Sequence, residues 1–370
     1  MCNRKPNKTR KNTQSNWKSY FSFAKPTFFL NFAAKYKKRK THPSPSCKEG
    51  VGGRSIMKLM YVHGFGSSAQ SGTVKLLRSC LPNDEVVARD IPIVPEEAIA
   101  MLKQMAEEEQ PDIIVGTSMG GMYTEQLKGF DRILVNPAFQ MGDTMSSHGM
   151  VGKLTFQNPR ADGVQEFIIT KAMVKEYAAI TQLCFQDITE EERGRVYGLF
   201  GDEDPIVHTF DLFREHYPNA IHFHGEHRLT DHTVHNYLLP LIRKIRNKQE
   251  GVELPPLFIH FDCLHDQYMQ AASSLRIAYY QLIEKYTVYI VADAPTNDHQ
   301  YINDVQTWVE KYLSAPAHDS IIFTNKPQLL LGDFYITRTE EPDFMGTNIQ
   351  FGSDTFKCWE DICTFFERLG

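Results

Sequence analysis

The sequence predicts an α/β protein built as two parallel sheets in succession, on three observations. From Met57 onward, short β-branched runs alternate with amphipathic stretches, which is how parallel strands and their covering helices read. Gly116, Thr117, Ser118, Met119, Gly120 and Gly121 stand between an apolar run and a helix-compatible stretch, the layout of a strand, a sharp turn and a helix. The alternation breaks over residues 249–256, which include Gly251, Pro255 and Pro256, and starts again at Leu257.

The expected order is a leader over 1–56, a first domain over 57–248, a linker over 249–256 and a second domain over 257–370. The leader carries 14 Lys and Arg against the single acid Glu49, in clusters such as Lys35, Lys37, Lys38, Arg39 and Lys40 with no sustained amphipathic period. It is set apart from the fold as a disordered basic arm, a transit-like leader, or translation from an upstream start with Met57 as the natural beginning. Its aromatic stretch Tyr20 to Phe32 is broken by Lys25 and Pro26 and is too short to span a bilayer.

In the first domain, strands are expected at Lys58–Val62, Glu85–Asp90, Asp112–Val115, Arg132–Val135, Val196–Phe200 and Ile221–Phe223. Helices are expected at Thr73–Leu81, Glu96–Glu108, Met119–Leu127, Val207–Tyr217 and Thr233–Lys248. An insertion at about 138–188, with a helix over Thr170–Leu183 and the side chains Met141, Met145, Met150, Phe156, Phe167 and Tyr177, is read as a helical lid. Right-handed crossovers put the chemistry at the carboxyl ends of the strands.

The residues that follow those ends carry it. Ser118 is the candidate nucleophile, at the tip of a turn too tight for a Cβ two residues to either side. A serine hydroxyl needs a histidine to take its proton and a carboxylate to orient that histidine. In sheets bearing this elbow the chain order is serine, acid, histidine, which selects Asp204 and His227, with Asp202 as the competing acid. The loop His63, Gly64, Phe65, Gly66, Ser67 and Ser68 follows the first strand and can approach a reacting carbonyl. The expected oxyanion donors are the amides of Met119 and of Phe65 or Gly66. The dense set His222, His224, His227, His232 and His235 lacks a zinc-ligand pattern and is read as surface or core histidine.

Composition narrows the setting. The net charge of −5 conceals a body holding 26 Lys and Arg against 44 Asp and Glu, which argues against a nucleic-acid surface there. The seven cysteines are scattered without a C-x-x-C pair, so neither a disulfide framework nor structural zinc is expected, and a reducing cytoplasm fits. No metal or cofactor is called for, and no membrane span.

The His63–Ser68 loop, the Gly116–Gly121 elbow, Asn136-Pro137, the Gly201–Val207 acid loop and Gly225–His227 together resemble the YqiA-like family of α/β-hydrolase esterases, over about residues 57–247. The resemblance implies a compact serine hydrolase of carboxylic esters or thioesters with Ser118, Asp204 and His227 as its triad. In the second domain strands are expected at Leu257–Phe261, Val288–Val291, Ser320–Phe323, Leu329–Ile336 and Asn348–Phe351, with helices at Asp266–Lys285, Ile302–Leu313 and Thr355–Leu369. Asn325-Lys326, Leu331 to Ile336, Ile349 to Gly352 and the closing Trp359 helix resemble the haloacid-dehalogenase superfamily, and within it the 5'(3')-deoxyribonucleotidase type.

That second resemblance implies an aspartate nucleophile beside Mg²⁺, from which this chain departs. His260 stands in the nucleophile place, Asp262 in the acid/base place, and Ala292 or Asp293 in the phosphate-binding place. Lys326 and Asp333 match, whereas Thr337-Arg338 replace the acidic pair. The expectation is a catalytically silent domain that holds a phosphorylated ligand, a partner protein or a second copy of the chain. The alternatives are a non-catalytic scaffold that keeps the elbow for its fold alone, and a nucleotidase activity surviving in the second domain.

Overall fold

A computed structural model describes residues 55–313 and 315–369. The leader and its basic clusters, up to residue 54, lie outside the described residues. The first sheet contains β1 (Lys58–Val62), β2 (Glu85–Val87), β3 (Ile113–Thr117), β4 (Asp131–Val135), β7 (Val196–Gly201) and β8 (Asn219–Phe223) in the order β2-β1-β3-β4-β7-β8. Every pairing in it is parallel, with Val62 opposite Gly116 and Thr117 opposite Val135. The central strands are apolar almost throughout because both faces are covered.

Helices α1 (Gly72–Cys80), α2 (Pro95–Glu109), α3 (Met119–Glu125), α6 (Glu190–Arg193) and α7 (Phe210–His216) supply crossovers. After β8 the chain runs through α8 (Asp231–Thr233), a π turn (Val234–Leu238) and α9 (Leu239–Glu250). Met60, Ile114, Met122 and Phe213 fill the core on one face of the sheet; Leu59, Val115, Tyr237 and Leu241 fill the other.

The insertion departs from the helical lid expected for it. It contains α4 (Met141–Ser147), an antiparallel hairpin of β5 (Gly152–Thr155) and β6 (Glu166–Ile169), and α5 (Lys171–Thr181). Each hairpin strand is only four residues long; Gly152–Thr155 alternates between half-buried and exposed, and Glu166–Ile169 is buried only at Ile169, so neither offers a long apolar run to read.

The second sheet contains β9 (Pro256–His260), β10 (Thr287–Ala292), β11 (Ile321–Phe323), β12 (Phe334–Thr337) and β13 (Thr347–Gln350), all parallel in the order β11-β10-β9-β12-β13. Helices α10 (Leu275–Lys285), α11 (His299–Tyr312) and α12 (Trp359–Leu369) accompany it. The helix expected from Asp266 starts only at Leu275. Asp266 Oδ1 accepts the amides of Tyr268 and Gln270 at 2.8 and 3.0 Å, a local turn that competes with helix. The strand expected from Leu329 starts at Phe334: Pro327–Leu329 form a 3₁₀ turn, and Gly332 packs closely on Phe258 and Pro256.

The junction is short. Gly251, at φ +64°, ends α9, and β9 begins at Pro256. Arg243 pairs with Glu284 at 3.0 Å and Lys244 with Asp319 at 2.5 Å, while Ala315 joins the cluster of Tyr237, Leu238 and Leu241. No helix among the described residues is long and apolar enough to cross a membrane.

Candidate active site

Ser118 links the last residue of β3 to the first of α3 at φ 54°, ψ −120°, a strained backbone that lifts its side chain above the sheet. Its amide donates to the Val135 carbonyl at 2.9 Å, and its own carbonyl accepts from Ala138 at 3.0 Å. A Cβ on Gly116 would meet the Gly120 carbonyl across the turn, as the tight geometry requires. Gly120 is constrained from another side: a Cβ there would run into the Val62 and His63 carbonyls.

The chain order leads three distant side chains to one place. Ser118 Oγ–H donates to His227 Nε2 at 3.0 Å, and His227 Nδ1–H donates to Asp204 Oδ2 at 2.7 Å. The other oxygen of Asp204 accepts the amides of Ile206 and Val207 at 2.7 and 3.0 Å. Burial pushes the Asp204 carboxyl up, but these three hydrogen bonds outweigh it and hold it below its ordinary value. Asp202 lies elsewhere: its carboxylate takes His224 Nδ1 at 3.2 Å and the Gly225 amide at 3.0 Å, and it shapes the turn beside the site.

Asn136 is the residue whose part the sequence did not reveal. Buried at φ 44° after β4, it accepts the Gly201 amide at 2.8 Å and donates to the carbonyls of Glu226 and His227 at 3.2 and 3.1 Å. One side chain thus ties the start of the acid loop to the histidine loop. The signal that could have found it is an asparagine directly after a strand and before Pro137, a residue type that tolerates the left-handed region.

The glycine loop after β1 lies against the elbow, with the Cβ position of Gly64 only 3.3 Å from Ser118 Cβ. His63 Nδ1–H donates to the Gly64 carbonyl at 2.9 Å, and its Nε2 accepts the Ile91 amide at 3.1 Å. Burial lowers its pKa to about 4, so the ring is neutral and serves as a brace. Phe65 packs edge-on against Phe167 and Tyr177, and Gly66 takes φ +67° with its carbonyl accepting the Gln157 amide at 2.7 Å. Met119 is the first residue of α3, so its amide has no acceptor within the helix.

Ser118 and His227 open into a cavity of about 760 Å³. Phe65, Met141, Met150 and Ile206 give it apolar wall, while Ser67, Gln157 and Asn158 give it polar wall. Of the insertion's expected lid residues, Met141 and Met150 reach this cavity, whereas Met145 and Tyr177 are fully buried in the core. His222 stacks on Phe210 with ring centroids 3.7 Å apart, and His235 and Asn236 bond within their own helical turn. No group of three or more His, Cys, Asp or Glu side chains able to hold a metal occurs among the described residues.

At the carboxyl end of the second sheet, His260 Nδ1 lies 3.6 Å from Asp262 and its Nε2 4.0 Å from Asp293. Arg338 donates from Nε to the Asp262 carbonyl at 2.8 Å and from Nη2 to the His265 carbonyl at 3.2 Å. Asp333, counted as a match on sequence, precedes the first residue of β12 and bonds to the Pro256 backbone at the opposite end of the sheet. A strand of four residues, about 13 Å, separates it from His260. Hard oxygen ligands are what Mg²⁺ requires, and an imidazole with a guanidinium in their place does not fit that ion.

Residues 58–238 match the Uncharacterised protein family (UPF0227). The chain is 31% identical over 125 residues to a protein of Vibrio phage KVP40 provisionally named a 5'(3')-deoxyribonucleotidase, covering 32% of this chain and 69% of that one. Among solved structures, alpha/beta hydrolase domain-containing protein 10 from mouse is 15% identical with a TM-score of 0.38, covering 52% of this chain and 90% of that one. A methylesterase from Arabidopsis is 13% identical with a TM-score of 0.33, covering 52% and 99%. At such values these two likenesses add nothing to the topology described above. Over residues 58–238 the chain is similar to the YqiA-like family, and across 32% of its length it belongs to the family of the phage deoxyribonucleotidase.

Proposed function

We propose that the protein is a serine hydrolase of carboxylic esters or thioesters. The observation that carries this reading is the unbroken chain from Ser118 Oγ through His227 to Asp204, at 3.0 and 2.7 Å, at the mouth of the 760 Å³ cavity. In the proposed reaction His227 Nε2 takes the Ser118 proton as Oγ attacks the acyl carbon, and Asp204 steadies the imidazolium that forms. The amides of Met119 and of Phe65 or Gly66 would stabilise the oxyanion, each by about 3 kcal/mol of barrier. The imidazolium then protonates the departing alcohol or thiol, and water admitted by the same base releases the acid from Ser118.

The second domain is proposed to be silent as a phosphatase. His260 in the nucleophile place, Arg338 bonded across the metal place and Asp333 at the far end of the sheet support that reading. The phage protein's name favours the rival reading of a surviving nucleotidase.

Treatment of the full chain with a fluorophosphonate separates enzyme from scaffold. Covalent labelling absent in Ser118→Ala is expected, and folded wild-type protein that never labels would sink the proposal. Phosphate release from deoxynucleotides with Mg²⁺, lost in Asp262→Asn and kept in Ser118→Ala, would establish the nucleotidase instead.

A further inference from the structure

One cation in the cavity wall has no structural employment. Arg228 follows His227 directly, is exposed, and lines the same cavity as Ser118. Arg132, Arg160, Arg195 and Arg246 of the first domain are each tied, to Glu192, Asp162, Glu191 and Asp84 respectively. No carboxylate, carbonyl or aromatic ring among the described residues takes Arg228, although the body of the chain carries far more acid than base. The other charged wall residue, Asp231, is the first residue of α8, where the helix's positive end favours a carboxylate.

The chemistry says which part of a substrate such a cation would meet. As the tetrahedral intermediate collapses, His227 must reach the leaving oxygen or sulfur to protonate it, so the leaving group lies on the side of the histidine loop. The acyl group is left to the walls of Phe65, Met141 and Met150. A guanidinium on the histidine loop then stands beside the substituent of the alcohol or thiol, and its planar fork of donors suits a carboxylate, sulfonate or phosphate. Resting on the serine-hydrolase reading, we propose that the natural substrates are esters or thioesters whose leaving group bears an anion, and that Arg228 selects them.

The test compares butanoyl thioesters of mercaptoethanesulfonate and of ethanethiol, which share the acyl group and differ in charge on the leaving side. An exposed charge-assisted hydrogen bond corresponds to about a tenfold preference in kcat/KM for the sulfonate in the wild type. That ratio is expected to fall to about one in Arg228→Gln and below one in Arg228→Glu. A second pair, monoethyl adipate against ethyl heptanoate, puts the anion on the acyl side and is expected to show no preference for charge.

A wild-type ratio near one, a ratio that survives Arg228→Gln, or a preference confined to the adipate pair overturns the proposal. Fluorophosphonate labelling of Ser118 in the same preparation tells which idea has failed. Labelling without charge preference removes the Arg228 assignment alone, and absence of labelling removes the serine reading and this one with it.

Discussion

Acid should loosen this fold through His63. The ring is buried, its Nε2 accepts the Ile91 amide, and protonation would put a second hydrogen where that donor already points. Its folded-state pKa is about 4 against 6.5 for the free side chain. Because the folded value is the lower one, the unfolded chain binds more protons between these limits, and stability is lost as pH falls through that window. At about pH 5 the imbalance is about thirtyfold, or about 2 kcal/mol.

His63→Gln offers one acceptor and one donor without a titrating ring, so it isolates this contribution. Urea midpoints at about pH 7, 6 and 5 should show the wild type losing about 2 kcal/mol more than the variant over that range. His318, whose pKa burial also lowers to about 4, destabilises in the same sense in both proteins and cancels in the comparison. Asp204, held below its usual value, releases its contribution only at lower pH. Parallel wild-type and variant slopes between about pH 6.5 and 4 would refute the buried, neutral brace.

Asp204→Asn should lower kcat for a neutral ester by about a thousandfold or more with little change in KM, while Asp202→Asn should cost less than about tenfold; steady-state kinetics on both variants decides between the two acids. Asn136→Ala leaves the Gly201 amide and the Glu226 and His227 carbonyls without that partner, so it should cost about 2 kcal/mol in thermal or urea unfolding. It should also reduce kcat more than KM is raised, whereas a loss of stability with kcat intact would show that the asparagine does not hold the histidine loop. Gly120→Ala forces a Cβ onto the Val62 and His63 carbonyls and should give little soluble folded protein; a folded variant with unchanged labelling would contradict the tight elbow.

What could be read in advance was local. Six-residue punctuation around Ser118 announces its own geometry, since only glycine tolerates the approaches at positions 116 and 120. Strand ends were legible to within a few residues, because apolar runs stop where backbone leaves the covered sheet, as at Val62 and Val135. The hairpin over Gly152–Ile169 escaped notice because a strand lying on the surface, half-buried on one face, needs neither a long apolar run nor strong alternation. The Asp266–Ser274 turn escaped because an aspartate at a helix start and one that folds back on its own amides look alike in a string of letters.

The amino-acid order by itself determined the α/β class and the strained turn at Ser118, since each depends on contacts a few residues apart. Only the tertiary structure decided that Asp204 and not Asp202 faces His227, that Asn136 ties their loops, and that Asp333 stands away from His260. Those are matters of register between strands distant in the chain. A shift of two residues leaves the local pattern unchanged and moves a carboxylate by about 7 Å.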